Sequence, residues 1–211
     1  MKKKYLTNAE RLSFTLTPVL KDIIVGLSLG DLYIRKQKLG KNPGLLFEQG
    51  LIHLEYLNHL YGLFESYCPS VPVTSNRLPH KATGKVHARV TFQTYSLPCF
   101  KELHELFYSL GKKIVPANIG DLLTPLGLAY WICDDGSFHK SRQSVTLCTN
   151  SFTLEEVTLL AKTLNDKWDL KCAVHKSRDG FVIYISSKSL SILQNFLKDT
   201  MPSMMLYKIG L

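Results

Sequence analysis

The sequence predicts an α+β protein made of two related halves, and two observations lead to that fold class. Apolar residues at three- and four-residue spacing mark helices, which alternate with short strand-like runs. The order helix, two strands, helix, two strands, helix occurs twice, with Asp31 and Asp135 following matching apolar runs about half a chain apart. We therefore expect two pseudo-symmetric αββαββα halves, one over residues 1–120 and one over residues 121–211.

The first half starts with an apolar helix that we expect to end at Asp31. Thr17 is well placed as its N-cap, and Pro18 suits the first helical turn. A polar, basic segment then leads into the first strands. The remaining elements are the strand run GLLFEQ, the helix LIHLEYLNHLYGLFESY, a strand pair that ends in ARVTFQT, and the helix LPCFKELHELFYSL.

The second half repeats this order. Thr124 and Pro125 start an apolar helix, which we expect to end at Asp135 with Gly136 as its C-terminal stop. The elements after it are the strand run SVTLCTN, the helix TLEEVTLLAKTLNDKW, a strand pair that ends in GFVIYIS, and the helix SLSILQNFLKD.

The charge balance favours a polyanionic partner. Twenty-six Lys and Arg residues against seventeen Asp and Glu residues give a formal net charge of +9. Such a charge suits nucleic acid, although a basic surface kept for solubility is the alternative. No apolar run reaches the ~20 residues needed to span a bilayer, so we expect no membrane partner. The five cysteines include no C-x-x-C pair and no H-E-x-x-H occurs, so we expect reduced thiols rather than disulfides or structural zinc.

Both apolar helices carry a nine-residue motif of the LAGLIDADG type, on residues 24–32 and 128–136. With two such motifs in this order and at this spacing, the chain resembles the LAGLIDADG homing endonucleases in their single-chain form. The likeness runs from about Leu16 to Lys208. The second half also resembles the branch typified by the yeast mitochondrial omega-intron endonuclease, through the stretches LTPLGLAYWICDDG, TNSFTLEEV and MPSMMLYK.

The resemblance implies that the two halves pack through their motif helices and that the antiparallel sheets form a DNA-binding saddle. Small residues would let the helices approach closely. They are Gly26 and Gly30 on the first helix and Ala129 and Cys133 on the second. The departures from the motif bear on this packing rather than on the acids: Leu32 replaces a glycine, and Tyr130 and Trp131 replace small or aliphatic residues.

The same packing would bring Asp31 and Asp135 side by side, which is electrostatically unfavourable. Each carboxylate meets the negative end of a helix dipole, at a cost of ~0.3–1 kcal/mol, and the like charges repel. A hard divalent cation reverses this, because it prefers carboxylate and carbonyl oxygens and shares them with phosphate. We therefore expect Mg²⁺, with Mn²⁺ as an alternative.

The resemblance implies that Asp31 and Asp135 are the metal ligands for the two DNA strands. Gly30 is a further candidate ligand, as is Asp134, to which we give a lesser part. A turn residue is the alternative for any one acid at a helix end.

The resemblance also implies a basic residue near each active site. We expect these residues to be Lys113 and Lys208, with Lys112 as a rival for the first position. A lysine there could polarise the attacking water or offset charge on the phosphoryl group. The candidate catalytic residues are thus Asp31, Asp135, Lys113 and Lys208.

Strand alternation predicts which side chains face DNA, a solvated sheet face being the alternative. In KVHARVTFQT, one face should hold Lys85, His87, Arg89, Thr91 and Gln93, and the core face should hold Val86, Ala88, Val90 and Phe92. In SRQSVTLCTN, one face should hold Arg142, Ser144 and Thr146. The other candidate DNA-binding residues are Arg35, Lys36, Lys38, Gln49, Arg77, His80, Lys81, His139, Lys140, His175, Lys176 and Arg178.

The leading functional hypothesis is a site-specific double-stranded DNA endonuclease encoded in a mobile intron. It would act as a monomer and cut one phosphodiester on each strand, in the mitochondrion or alternatively the plastid. The second hypothesis is a group I intron maturase that binds its own intron RNA on the same scaffold. Two weaker alternatives are a regulator on an inactive nuclease scaffold, which the intact acids disfavour, and a generic metal-dependent phosphatase, which would not explain the duplicated layout.

Overall fold

The computed structural model describes residues 5–79 and 84–211, so the predicted DNA contacts His80 and Lys81 lie outside the described residues. The elements up to the middle of the chain are α1 (Asn8–Leu12), α2 (Pro18–Leu29), β1 (Tyr33–Arg35), β2 (Gly44–Gly50), α3 (Leu54–Phe64), β3 (Val73–Asn76), β4 (Ala88–Gln93) and α4 (Lys101–Phe107). The later elements are β5 (Tyr108–Ser109), β6 (Lys112–Lys113), α5 (Ile119–Leu122), α6 (Pro125–Asp135), β7 (Gly136–His139), β8 (Ser144–Cys148), α7 (Leu154–Trp168), β9 (Cys172–Ser177), β10 (Gly180–Ile185), α8 (Leu190–Leu197) and a 3-10 helix at Ser203–Ile209.

The predicted α+β fold class and its repeated order are confirmed. The series α2-β1-β2-α3-β3-β4-α4 and α6-β7-β8-α7-β9-β10-α8 are both αββαββα. The two larger sheets also share one strand order, β1-β2-β4-β3 in the first and β7-β8-β10-β9 in the second. None of the described helices is both long enough and apolar enough to cross a membrane.

The chain folds into two compact units that do not follow the sequence order of the halves. The first unit holds the described residues up to Thr17 together with Leu32–His104, and the second holds Pro18–Asp31 together with Glu105–Leu211. Helix α2 therefore belongs to the same unit as α6. The predicted boundary between residues 120 and 121 concerns the duplication of the sequence and stays a prediction.

In the first unit, helix α3 covers one face of an antiparallel four-stranded sheet. Phe47 of β2 lies opposite Phe92 of β4, and their rings stack with centroids 4.3 Å apart. Phe64 of α3 packs on Phe47 at 5.1 Å. These buried aromatic rings hold the sheet against the helix, and the opposite face of the sheet stays open.

In the second unit, helix α7 packs on strands β9 and β10. Thr153 caps its start: the Thr153 hydroxyl accepts a hydrogen bond from the Glu156 N–H, and the Glu156 carboxylate accepts one from the Thr153 N–H. The core side chains of the sheet, Val145, Leu147 and Ile183, are fully buried. As in the first unit, one sheet face is covered and the other is open.

Helices α2 and α6 make the closest helix contact of the second unit. A Cβ atom added to Gly26 would lie 1.9 Å from the backbone oxygen of Gly127, and one added to Gly30 would lie 2.6 Å from Cβ of Asp134. Gly26 and Gly30 thus permit the close approach predicted from the sequence. On α6 these two glycines meet Gly127 and Asp134, and Ala129 and Cys133, to which the sequence pointed, are buried.

The two motif helices end differently. Helix α6 ends at Asp135, as predicted, and its N-cap Thr124 accepts a hydrogen bond from the Gly127 N–H at 3.1 Å. Helix α2 ends at Leu29, so the prediction that it reaches Asp31 is wrong; the Gly30 N–H turns back to the Leu27 carbonyl at 3.0 Å. Gly136 caps α6 in an extended rather than a left-handed conformation. Glycine is required there because an added Cβ would lie 2.5 Å from the Ile132 oxygen.

Candidate active site and the open faces of the two sheets

The C-terminal ends of α2 and α6 meet within the second unit. The backbone N–H of Asp31 donates a hydrogen bond to Oδ2 of Asp134 at 3.1 Å. Asp31 is exposed, whereas Asp134 and Asp135 are half-buried. The close contact of the helices, set by Gly26, therefore brings three carboxylates from two helix ends into one place.

The carboxylates influence one another electrostatically. Burial, together with the negative charge of Asp31, raises the pKa of Asp135 to about 7, although the ammonium groups of Lys113 and Lys208 act to lower it. The indole of Trp131 lowers this pKa least; its N–H has no partner of good hydrogen-bond geometry among the described residues. The environment of Asp135 thus disfavours the ionised form of its carboxyl, which the two lysines compensate only in part.

Two lysines hold backbone carbonyls at the two helix ends. Nζ of Lys113 donates to the Gly30 oxygen at 2.5 Å, and Nζ of Lys208 donates to the Gly136 oxygen at 2.8 Å. Lys113 lies on β6 of the short β5–β6 hairpin, and Lys208 lies in the 3-10 helix that packs on β7. Lys112, the rival for the first position, is exposed and pairs with Ser109 across the hairpin.

Burial lowers the pKa of Lys113, and the charges of Asp135, Asp134 and Asp31 act in the opposite direction. Each of the three acids is therefore close enough to interact with this ammonium group. The structure brings together all four residues that the sequence singled out as catalytic candidates, together with Gly30 and Asp134.

The donor chemistry of these helix ends fits a hard divalent cation. Within residues 5–79 and 84–211, no group of three or more Asp, Glu, His or Cys side chains is arranged to hold a metal ion alone. Mg²⁺ does not need such a cage, because it keeps several waters and binds through one or two carboxylates plus substrate phosphate. Asp31 and Asp135 supply two carboxylates, and Gly30 supplies a carbonyl oxygen beside them.

The open face of the first sheet carries several of the predicted polar side chains. Arg89, Thr91 and Gln93 alternate with the buried Val90 and Phe92, as predicted for β4. The same face holds the exposed Arg35 of β1, and Lys36 and Lys38 are exposed in the loop after it.

The alternation fails before β4. The prediction that Val86 points into the core is wrong: Val86 is 53% exposed, and it lies with Lys85 and His87 ahead of the strand. The reason is that the β3–β4 ladder stops at the pair Asn76 and Ala88.

One predicted contact of the first sheet lies on its covered face. Gln49 stands opposite Val90 and on the same side as Phe47, so it faces away from Arg89 and Thr91. Glu48 lies on the open face instead. The sequence carries a signal for this, since alternation from the inward-facing Leu45 and Phe47 puts Glu48 outward and Gln49 inward.

The open face of the second sheet carries His139, Thr146 and His175. Nε2 of His139 lies 3.0 Å from the Thr146 hydroxyl, and the His175 ring stacks on Tyr184 with centroids 5.1 Å apart. Tyr184, which sequence reasoning missed, belongs to this face by the same alternation. The exposed loop and turn residues beside the strands are Lys140, Arg142 and Arg178.

Two predicted contacts of the second sheet are placed otherwise. Ser144 is fully buried, and its hydroxyl has no hydrogen-bond partner among the described residues. Its side chain is short, and the neighbours on that face, His139 opposite and Thr146 along the strand, are longer. Lys176 is exposed but stands opposite Phe181, so it points to the other side of the sheet from His175.

The comparisons with known proteins agree with this fold. The model of the LAGLIDADG DNA endonuclease family matches residues 21–193. The chain is 36% identical over 194 residues to the cytochrome b mRNA maturase bI2 of Debaryomyces hansenii, covering 90% of this chain and 72% of that protein. It is 31% identical over 201 residues to the probable intron-encoded endonuclease 1 of Wickerhamomyces canadensis, covering 92% of this chain and 85% of that protein.

Solved structures give the same result. The structure of the homing endonuclease I-WcaI bound to its DNA recognition sequence matches with a TM-score of 0.87 at 29% identity, covering 93% of this chain and 88% of that chain. The similar proteins thus include both a maturase and endonucleases. Since the family model spans most of the sequence and the solved relative shares the fold over nearly its whole length, this chain belongs to the LAGLIDADG DNA endonuclease family.

Proposed function

We propose that the chain is a site-specific, metal-dependent endonuclease that hydrolyses one phosphodiester on each strand of a long double-stranded DNA target and so promotes intron mobility. The observation that carries this proposal is the convergence of Asp31 and Asp135 with Lys113 and Lys208 at the paired helix ends. The solved relative bound to its DNA recognition sequence supports DNA as the partner.

Mg²⁺, or alternatively Mn²⁺, would be held by Asp31 and Asp135, with the Gly30 carbonyl and Asp134 as further donors. When bound, such an ion lowers the pKa of water and neutralises charge on a phosphodiester. The chain itself supplies the orientation. Asp134 fixes the backbone of Asp31 through its 3.1 Å hydrogen bond, which holds the turn after α2 in place.

The two lysines would act on the substrate side. Their ammonium groups are already anchored on the Gly30 and Gly136 carbonyls, so their positive charge is held at the two helix ends. A fixed cation near a scissile phosphate stabilises the negative charge that develops as the leaving oxygen departs, and it requires no rearrangement at that moment. One lysine at each helix end suits a reaction at two strands.

The open face of each sheet would contact the duplex. Arg35, Arg89 and Thr91 on the first sheet and His139 and Thr146 on the second present donors suited to phosphates and base edges. The net charge of +9 supplies the attraction to the polyanion. We further propose that the protein acts as a monomer. We place it in the mitochondrion, with the plastid as the alternative, and the similarity to a cytochrome b mRNA maturase supports the mitochondrion.

The test is in vitro selection of cleaved duplexes from a randomised library with purified protein and Mg²⁺. We expect one family of related target sites, cut on both strands, with no cleavage in EDTA. Asp31→Asn and Asp135→Asn should bind the selected duplex but not cut it. Recovery of no cleaved duplex, or wild-type cleavage by both variants, would contradict the proposal.

A second candidate function, group I intron maturase, is favoured by the 36% identity to a cytochrome b mRNA maturase. Assistance of splicing does not need carboxylates at the helix ends. A splicing assay on the chain's own group I intron RNA would therefore separate the roles: a maturase should still promote splicing when Asp31 and Asp135 are both replaced by Asn. Loss of splicing in that variant would mean that splicing and DNA cleavage both depend on these two carboxylates.

A further inference from the structure

A carboxylate lies between two arginines on the open face of the first sheet. Oε1 of Glu48 accepts from Nη2 of Arg77 at 2.8 Å, and Oε2 accepts from Nη1 of Arg89 at 2.7 Å. Nε of Arg89 donates in addition to the Ser75 hydroxyl at 3.2 Å. Arg89 on the inner strand β4 is thus held from both sides, by β2 and by β3.

Stability does not account for this cluster. The side chains of Glu48, Arg89 and Arg77 are 29%, 39% and 53% exposed, and ion pairs at such exposure contribute about 0–1 kcal/mol. Glu48 is also the one acid among the described strand residues of that face. On a surface that would meet a polyanion, an acid weakens binding through repulsion, so its presence calls for a different role.

Orientation of the arginines is such a role. A free arginine side chain loses about 2 kcal/mol of rotamer entropy when it is fixed. Ser75 and Glu48 accept from the Nε–H and from one N–H of Nη1 of Arg89, which leaves the second Nη1 N–H and both Nη2 N–H groups as donors for a ligand. In Arg77 the bond uses one N–H of Nη2, which leaves the other Nη2 N–H, both Nη1 N–H groups and the Nε–H. Part of this ordering is therefore in place before any partner binds.

We propose that Glu48 is a specificity-determining positioning residue, which holds Arg77 and Arg89 so that their remaining N–H donors read guanine edges in the major groove. Arginine donors match O6 and N7 of guanine, and each such pair discriminates by ~1–3 kcal/mol against the wrong base. This inference rests on the proposed DNA-binding function. The inference goes beyond that function because it names Glu48 as the residue that positions the arginines and guanine as the base that they read.

The experiment is a binding selection from a randomised duplex library, without divalent metal so that cleavage does not intervene. Wild type is compared with Glu48→Gln and with a control, Glu55→Gln, which removes the same charge from an exposed position of α3. We expect Glu48→Gln to lose about tenfold or more of the preference for guanine at the base pairs that Arg77 and Arg89 read. Its affinity for random DNA should stay equal or rise. Glu55→Gln should keep the wild-type profile.

Arg77→Lys and Arg89→Lys provide the second arm. They keep the charge and lose the planar guanidinium, so they should relax the same guanine positions that Glu48→Gln relaxes. A wild-type profile for Glu48→Gln, or a uniform loss of affinity for all sequences, would overturn the inference. A wild-type protein that selects no duplex at all would overturn the proposed function itself, which makes the two failures distinct.

Discussion

The backbone N–H of Asp31 and the carboxylate of Asp134 join the ends of the two motif helices through a 3.1 Å hydrogen bond. An asparagine at position 134 keeps an oxygen that can accept this bond. We therefore expect Asp134→Asn to keep cleavage within about tenfold of wild type, a change in activation free energy of ~1.4 kcal/mol. Asp135→Asn should abolish cleavage. Rates on a selected duplex decide this, and equal losses in the two variants would show that Asp134 acts as directly as Asp135.

The pKa of Asp135 makes the metal-free protein sensitive to pH. Because the folded-state pKa is raised to about 7 from its ordinary value, ionisation of Asp135 destabilises the fold. The stability that the fold gains from keeping this carboxyl protonated is fully present below about pH 4, and it is lost as the pH rises through 7. Between these two values, the free energy of unfolding should fall by up to ~1.4 kcal/mol for each step of one in pH.

Thermal unfolding in EDTA tests this relationship. Asp135→Asn should unfold at a higher temperature than wild type at pH 8, and the difference should shrink at pH 5. Addition of Mg²⁺ at pH 8 should stabilise wild type more than the variant. A difference that does not change with pH would contradict the role given to ionisation of Asp135.

The sequence predicted the element order and the paired acids because both follow from local patterns, whereas the two lysines were implied by the family resemblance. Apolar periodicity defines the helices, and a duplicated pattern implies duplicated geometry. What it missed depends on pairing partners. The predicted inward position of Val86 is wrong because the β3–β4 ladder stops before this residue. Ser144 is buried because its neighbours on the same face of the sheet have longer side chains. Glu48 shows the same limit, since only the structure reveals that its carboxylate meets Arg89 of β4 and Arg77, which follows β3.

The contact of Gly26 with Gly127 should be sensitive to a single methyl group. In Gly26→Ala the new Cβ would lie 1.9 Å from a backbone oxygen, which no side-chain rotation relieves. We expect a loss of about 1–3 kcal/mol in the free energy of unfolding, with reduced cleavage as the helix ends separate. Chemical denaturation measures the change.

Gly62 of α3 supplies the matched control. Nothing lies within 4 Å of a Cβ added there, and the residue is exposed within a helix. Gly62→Ala should therefore stabilise the protein by about 0.5–1 kcal/mol. A stable Gly26→Ala protein would mean that the two helices do not pack at this distance.

The lysines should be separable by strand. Lys113 is anchored on the Gly30 carbonyl and Lys208 on the Gly136 carbonyl, so each charge is tied to a different helix end. We expect Lys113→Met and Lys208→Met each to slow cleavage of one strand by about 10²-fold, so that nicked DNA accumulates from a supercoiled plasmid. Lys112→Met, the exposed neighbour, should cut like wild type. Equal slowing of both strands by either variant would mean that the two centres share their lysines.

Salt dependence distinguishes phosphate contacts from base contacts on the second sheet. Arg142 is exposed in the turn between β7 and β8, beside the open face, whereas Lys162 lies on α7 and pairs with Asp166. If Arg142 contacts a phosphate, Arg142→Ala should weaken binding to all duplexes alike. It should also reduce the slope of log affinity against log salt by about 1, because one fewer counterion is released.

Lys162→Ala removes the same charge from the covered side of the sheet, and it should leave that slope unchanged. Fluorescence titrations from low to moderate salt give both slopes. An equal change in the two variants would mean that net charge, rather than a contact at the open face, sets the affinity. A loss confined to particular base pairs in Arg142→Ala would instead identify this arginine as a base-reading residue.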